Sequence, residues 1–217
     1  MSKNLGCVRR PFGLVTIVLC FAGCSAQVEN NVINGGTQVI TPISSGTDAM
    51  IPLDLSSERN GVLYDPNVGE VAFVVGLDGN SVVGAAGISD PANVGSELIA
   101  EATYTTNYKI FVTRDIGSLS GANIGVVDTY EGPARFSVDF QNGTVTWENE
   151  RITASGQFDG TQFSAEGTLP SDVSNDTYVF EATGQLGQDA VIGTVLGQGT
   201  DYVLAGGLLG TTDGVDP

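Results

Sequence analysis

The chain has 217 residues and is strongly acidic: 25 Asp and Glu stand against 8 Lys and Arg, for a formal net charge of −17. An acidic surface repels nucleic acid and anionic lipid head groups, so we exclude nucleic-acid binding. The chain has no histidine. Zinc sites and the usual nucleophile–base pairs therefore lack a common ligand and base, and we expect neither a metal site nor an enzyme.

The first 23 residues have the pattern of an export signal. An apolar run over residues 12–21 follows a basic start. The run is shorter than the about 20 residues that span a bilayer, and it suits the core of a signal peptide. Two of the three cysteines, Cys7 and Cys20, lie in this signal. We therefore expect no disulfide and no thiolate metal site in the mature protein.

The signal ends on Phe21-Ala22-Gly23-Cys24-Ser25. This stretch resembles the bacterial lipobox, in which a cysteine after small residues is lipidated and becomes the first mature residue. The alternative is an ordinary secretory signal with a chance cysteine. We predict a lipoprotein signal peptide over 1–23 and lipidation (diacylglycerol and palmitate) of Cys24. Ser25 stands where an inner-membrane retention signal carries Asp, which favours the cell outer membrane, on its periplasmic or surface face.

The mature chain begins with two segments of weak periodicity. Residues 24–47 are polar, which predicts a flexible tether. Prolines interrupt the pattern after it, so 48–100 is predicted to be irregular apart from one hairpin. That hairpin joins Val71–Gly76 to Ser81–Gly87 around Asp78-Gly79-Asn80.

From residue 101 onward the pattern is typical of antiparallel strands. Ala134–Phe140 alternates apolar and polar residues, and Asn142-Gly143 predicts a type I′ hairpin turn. The eight predicted strands are Glu101–Arg114, Ala134–Phe140, Thr144–Trp147, Ile152–Phe158, Phe163–Gly167, Tyr178–Gly184, Ala190–Gln198 and Tyr202–Leu209.

Glycines inside these strands permit the bending that a small closed barrel needs. We predict an all-β fold: a single eight-stranded antiparallel up-and-down β-barrel over 101–210, preceded by the short hairpin region and the flexible lipidated tether. A membrane-spanning barrel is the alternative. Its strands need about 9–11 residues and an apolar outer band, whereas most runs here are shorter and have polar faces.

Short glycine-based motifs carry a family resemblance. They are Ala134–Phe140 followed by a turn, Gly156-Gln157-Phe158-Asp159-Gly160, and Ala190–Gly197 followed by Tyr202–Gly207. In this order they resemble the β-barrel domain of transferrin-binding protein B and its small lipoprotein relatives, over about half of the chain. The resemblance implies a surface lipoprotein that binds without catalysis, with 48–100 as a reduced handle. Transferrin contacts of the family have no counterpart here that can be aligned, and the missing histidine argues against haem and leaves no cofactor implied.

Several residues are candidates for chemistry. Glu148 and Glu150 could act as an acid–base pair, and Asp78-Gly79-Asn80 and Asp213–Asp216 could bind calcium, but solvated strand residues and Asp-Gly turns explain them as well. Trp147 could line a ligand pocket, with Tyr104, Tyr108, Phe136 and Phe140, although inward aromatics are more often core. Arg135 and Arg151 could mark an anionic ligand or pair with acids.

Two functions stay open at this point. The first is a non-catalytic binding module for a host or environmental protein or a small solute, with possible metal or iron acquisition. The second is a structural or interaction lipoprotein of the envelope with no small ligand. A buried cavity favours the first function and a fully packed barrel favours the second.

Overall fold

The computed structural model describes residues 27–32, 40–42, 56–78, 81–90, 94–114, 127–172, 175–200 and 202–212. The predicted signal peptide, Cys24 and the segment 213–217 lie outside them. The strands are β1 Gln27–Val32, β2 Ile40–Pro42, β3 Ser56–Asp65, β4 Gly69–Asp78, β5 Ser81–Asp90, β6 Ala102–Arg114, β7 Val127–Asp139, β8 Thr144–Glu148, β9 Thr153–Asp159, β10 Gln162–Pro170, β11 Thr177–Leu186, β12 Ala190–Gln198 and β13 Tyr202–Thr212. In this part of the chain no helix is long and apolar enough to cross a membrane.

Strands β6 to β13 form a closed antiparallel barrel in which each strand pairs with its neighbours in sequence and β13 closes on β6. The predicted eight-stranded barrel is therefore confirmed. Its wall follows the period of two that a strand imposes: along β10, Phe163, Ala165, Gly167 and Leu169 are buried, while the residues that alternate with them are exposed. A barrel wall that faces lipid needs the opposite arrangement, with apolar side chains outside.

Two hairpin loops of the barrel differ from each other. The β9–β10 loop has two residues, because Asp159 pairs with Gln162, and Gly160 takes the positive φ (58°) that the turn requires. The predicted type I′ turn at Asn142-Gly143 is wrong. Asp139 pairs with Thr144, so this loop has four residues, and the Asp139 carboxylate accepts hydrogen bonds from the Asn142 backbone N (3.0 Å) and side-chain Nδ2 (2.7 Å).

Five strands form a second sheet, which we call the handle sheet, in the order β2-β1-β5-β4-β3. The β4–β5 hairpin confirms the one predicted around residues 78–80. β3 was not predicted. β1 and β2 lie inside the segment 24–47, where we expected a flexible tether, and β1 pairs with β5 from Glu29↔Ala86 to Val32↔Val83. Residues 27–32 and 40–42 are therefore strands: β1 pairs with the apolar β5, and β2 pairs with the other side of β1.

The handle sheet packs on the outer face of β12, β13 and β6 and forms a second core. This core includes Phe73, Phe111, Ile192 and Val203, whereas the first core fills the barrel. As a result, all but the last residue of β12 is buried, because both faces of the strand are covered. Close approach requires small residues: a Cβ at Gly207 would lie 2.5 Å from Val71 Cγ1.

Candidate functional site

The interior of the barrel is filled by aromatic side chains that contact one another along its axis. The ring centroids of Phe136 and Phe163 lie 4.9 Å apart, and Trp147 lies edge-on to Tyr108 (5.7 Å) and Phe180 (5.9 Å). These arrangements are favourable for aromatic pairs. The described interior is thus a packed core, and a small ligand would have to displace it.

One hydroxyl links the polar groups in the middle of this core. Thr106 is fully buried, and its Oγ1 donates to the Ala134 carbonyl (2.8 Å) while it accepts from Trp147 Nε1 (3.1 Å). The indole N–H therefore has a partner inside the protein. This contact fixes the orientation of Trp147 without any ligand.

At one end of the barrel lies a charged group that we call the Arg114 mouth, made of Arg114, Asp128, Ser171, Asp176 and Tyr178. The Arg114 guanidinium donates from Nε to the Tyr178 hydroxyl and from Nη2 to Ser171 Oγ (2.6 Å), and it lies over the Tyr178 ring, 4.8 Å from the centroid. The carboxylates of Asp128 and Asp176 lie 3.9 and 3.8 Å from its nitrogens. The largely buried Arg114 guanidinium, at the end of β6, thus interacts with residues at the ends of β7, β10 and β11.

The electrostatics of the mouth follow from its burial. The side chains of Arg114 and Asp128 are each 14% exposed, and Asp128 Oδ2 has no hydrogen-bond partner among the residues that the structure describes. That oxygen depends on the attraction of the Arg114 charge. Burial is also the main reason that the pKa of Tyr178 is raised. Polar side chains of the Arg114 mouth therefore fill this end of the barrel.

The opposite end is closed by the segment that connects the two sheets. Leu98 inserts into the barrel core, and the backbone of Ser96 accepts a hydrogen bond from Gln188 N (2.8 Å). The Tyr104 hydroxyl donates to the Gly187 carbonyl (2.6 Å). Burial, and then the charge of Asp189, raise the pKa of Tyr104 to about 12.

The three residues predicted to contact a ligand lie in different places. Trp147 is 0% exposed in the core, away from the surface. Arg135 lies on the outer face, in a depression of about 540 Å³, and donates to Ser137 Oγ (3.2 Å) and Thr103 Oγ1 (3.4 Å). Arg151 pairs with Asp172, whose hydrogen bond and charge raise the Arg151 pKa. The structure does not bring the three together.

Other sequence candidates are also separated. Glu148 and Glu150 are both exposed, but β8 ends at Glu148, so the two residues do not share a strand face. The side chains of Asp78-Gly79-Asn80 and the segment 213–217 lie outside the described residues. Within the described ranges, no group of three His, Cys, Asp or Glu is arranged to hold a metal ion.

The Arg114 mouth was missed by sequence reasoning, although the sequence contains a signal for it. Along β6 the even-numbered residues point inward, from Tyr104 through Ile110 to Val112. Arg114 continues this parity at the end of an apolar strand. A cation on the inward face of a strand predicts an acidic partner nearby. Asp128, on the paired strand β7, was the candidate for that partner.

The comparisons with known proteins give structural likenesses only. No protein-family profile and no curated protein matches the chain. Among solved structures, it is similar to transferrin binding protein B from serogroup B Neisseria meningitidis, at 9% identity and a TM-score of 0.46, over 88% of this chain and 44% of that one. It is also similar to a double mutant of the Haemophilus parasuis Hp5 protein, at 12% identity and a TM-score of 0.47, over 87% and 45% of the two chains. The chain spans less than half the length of these proteins, which carry the name of the family that its motifs resemble.

Proposed function

We propose that this protein is a lipoprotein of the outer membrane, anchored through Cys24, that binds a protein partner on the outer surface of its barrel and handle sheet. The observation that carries the proposal is the packed interior. The aromatic core, the Arg114 mouth and Leu98 fill the barrel from one end to the other. Because the described interior is packed, we place binding on the outer surface of the described strands, and an open surface suits a protein better than a small solute, which prefers a concave pocket.

The outer surface offers polar groups for such contacts. The outward residues of β9, β10 and β11 are exposed in regular alternation, and the depression around Arg135 combines that cation with Glu148 and Asn149. The resemblance to transferrin-binding protein B supports a role as a surface receptor. The resemblance does not identify the partner. Iron acquisition, through a partner that carries iron, is a more specific version of the same proposal.

The anchor and the partner need separate tests. Incorporation of labelled palmitate into the wild-type chain, and its loss in Cys24→Ala, would support the anchor. A pull-down with residues 25–217 tests the partner. This bait keeps β1, which pairs with β5, whereas a bait that starts at residue 48 would remove it. Arg135→Ala should weaken capture if the depression takes part, and Arg151→Ala is the matched control because Arg151 already pairs with Asp172.

The packed barrel also fits the second function, a structural or interaction lipoprotein of the envelope with no small ligand. The same experiment separates the two. A protein recovered in stoichiometric amounts supports capture, and a bait that binds nothing above background supports the structural role. A solute that co-purifies inside the barrel, seen by native mass spectrometry, would contradict the packed interior and both functions.

A further inference from the structure

β1 begins three residues after Cys24, the predicted lipidation site. A stretch of three residues spans at most about 11 Å when it is fully extended. β1 is held in the handle sheet by its pairing with β5. If Cys24 carries a lipid, as the proposed function holds, the start of β1 therefore lies within about 11 Å of the lipid-bearing residue. The handle sheet then stands directly at the bilayer, without the spacer that a long tether would provide.

The pairing registers identify the end of the handle sheet that faces the anchor. When the register of β1 with β5 is extended by two residues, Gln27 lies beside Ile88. Ile88 lies in line with Leu63 through its partner on β4, and Tyr64 is the next residue of β3. Tyr64 is therefore at the end of the sheet where β1 begins. Three strand spacings, about 14 Å, separate β1 from β3.

That end of the handle sheet adjoins the barrel end that Leu98 closes, which we call the Leu98 end. β5 ends at Asp90, which lies in line with Tyr64 through its partner on β4. Four residues later, the Val94 carbonyl accepts a hydrogen bond from Asp189 N (3.2 Å), and Asp189 lies between β11 and β12 at this barrel end. The start of β1 and the Leu98 end thus lie on one side of the molecule, and the Arg114 mouth lies on the other.

Large apolar side chains are exposed on the side of the molecule that carries the Leu98 end. Ile99 lies three residues before β6 and Phe140 directly follows β7, and because these strands pair antiparallel, both residues lie at the Leu98 end. Their side chains are 77% and 42% exposed, and that of Tyr64 is 64% exposed. Tyrosine, which combines an apolar ring with a polar tip, is enriched at membrane–water interfaces. This side of the molecule therefore suits a bilayer surface.

The charges on this side decide which lipids it fits. Glu97 and Glu101 flank Ile99, and both are exposed. Anionic lipids give a membrane a negative surface potential, which repels such groups. The net charge of −17 adds to this repulsion. A zwitterionic phospholipid surface, such as phosphatidylcholine or phosphatidylethanolamine, offers an apolar interface without it.

We propose that the Leu98 end and the adjoining end of the handle sheet lie against a zwitterionic phospholipid bilayer, with Tyr64, Ile99 and Phe140 at its interface. The Arg114 mouth then points away from the membrane. The proposal rests on the lipidation of Cys24, which is part of the proposed function. Three side chains alone would bind a bilayer weakly, but the short link keeps them close to it and so raises their effective concentration there. The barrel wall near the Arg114 mouth stays open to a protein partner.

Fluorescence quenching by a lipid-borne nitroxide tests the contact. The mature lipidated chain with Ile99→Cys carries a fluorophore on the new thiol and is reconstituted into phosphatidylcholine vesicles that bear a nitroxide on the head group. Cys7 and Cys20 leave with the signal and Cys24 is lipidated, so the new thiol is the single free one. Val179→Cys is the matched control, since Val179 is 55% exposed but lies seven residues, about 23 Å, along β11 from the end of that strand at the Leu98 end.

We expect the label at residue 99 to be quenched at least about threefold more strongly than the label at residue 179, because quenching by a nitroxide falls steeply over such a distance. Equal quenching in a lipidated chain would overturn this proposal and leave the anchor intact. Intact-mass spectrometry establishes the lipid on Cys24 first. A chain without that lipid would refute the anchor and this proposal together.

A spacer and a change of lipid test the two causes of the contact. About 20 Gly and Ser residues inserted between Ser25 and Ala26 add about 25 Å of root-mean-square length, which should lower the quenching of the label at residue 99 about twofold. Replacing about half of the phosphatidylcholine by phosphatidylglycerol should also lower it, and Glu97→Gln with Glu101→Gln should reduce that effect. Quenching that the spacer leaves unchanged would overturn the short link as the cause. Quenching that does not fall on anionic vesicles would overturn the zwitterionic surface.

Discussion

The hydroxyl of Thr106 should be among the most stabilising polar groups of the barrel. Thr106→Val keeps the shape of the side chain but removes the bonds to Trp147 Nε1 and the Ala134 carbonyl. The indole N–H then stays buried without this partner, and the Ala134 carbonyl loses one hydrogen bond. The unsatisfied N–H costs about 1–3 kcal/mol and the lost hydrogen bond about 1 kcal/mol, so we expect the free energy of unfolding to fall by about 2–4 kcal/mol.

Thr106→Ser is the control for this prediction. It keeps the hydroxyl and removes one methyl group, which should cost about 1 kcal/mol. The assay is urea unfolding followed by tryptophan fluorescence, which is specific because Trp147 is the single tryptophan of the chain. A Thr106→Val variant within about 0.5 kcal/mol of Thr106→Ser would refute the reasoning.

A double-mutant cycle separates the two bonds. In a Trp147→Phe background there is no indole N–H, so Thr106→Val loses only the bond to Ala134. The cost of the valine substitution should then fall by about 1–2 kcal/mol, measured by far-UV circular dichroism because the fluorophore is gone. Additive effects would show that the Thr106–Trp147 bond contributes little.

Three further predictions concern the two ends and the handle. Gly207→Ala should cost about 1–3 kcal/mol in thermal unfolding, because its Cβ would overlap Val71, and Val71→Ala should relieve part of this cost. Burial raises the pKa of Tyr104 in the folded protein to about 12 from its ordinary 10.0, so the contribution of its protonated hydroxyl to stability is complete below pH 10 and is lost as the pH rises toward 12. Tyr104→Phe should flatten that loss, about 2–3 kcal/mol, in urea midpoints measured from pH 9 to 12. Arg114→Met should cost about 3–5 kcal/mol in urea unfolding, because it leaves Asp128 buried without a cation, and adding Asp128→Leu should recover part of it.

Each of these predictions has a contradicting outcome. Gly207→Ala must cost less stability in the Val71→Ala background than in the wild type, or overlap with Val71 is not the cause. A Tyr104→Phe variant whose urea midpoint falls as steeply from pH 10 to 12 as that of the wild type would contradict the Tyr104 prediction. Arg114→Lys keeps the charge, so a loss as large as that of Arg114→Met would show that the hydrogen bonds, rather than the charge, stabilise the mouth.

The barrel could be predicted from the sequence because its wall separates two environments. Residues such as Phe163 and Ala165 face a packed core while Ser164 and Glu166 face water, so the strand period appears in the sequence. β3 has no such signal: Val62 and Tyr64 are exposed, and Gly61 occupies an inward position where an apolar side chain is expected. β1 is mostly polar and β2 has only three residues, so pairing of β1 with β5 and of β2 with β1, rather than their own pattern, makes them strands.

The candidate site was harder to predict than the fold. Trp147 lies at an inward-facing position of its strand, so the alternation of apolar and polar residues predicts that it is buried. The sequence does not show that Thr106, 41 residues away, accepts the hydrogen bond from its indole N–H. Arg135 and Arg151 are both cations near strand ends, yet only Arg151 finds a carboxylate within 4.0 Å among the described residues. Which cation meets which acid depends on the stagger of the strands around the barrel, and local pattern does not contain that information.

The handle sheet covers β12 and β13, and this has a consequence for the order in which the protein can fold. β3, β4 and β5 are synthesised early, but the strands against which they pack occupy residues 190–212, about 100 residues later in the sequence. Until those residues arrive, the apolar face that includes Phe73, Val75 and Val82 has no cover. An exposed apolar sheet invites aggregation. The burial of the handle sheet is therefore completed last, together with closure of the barrel.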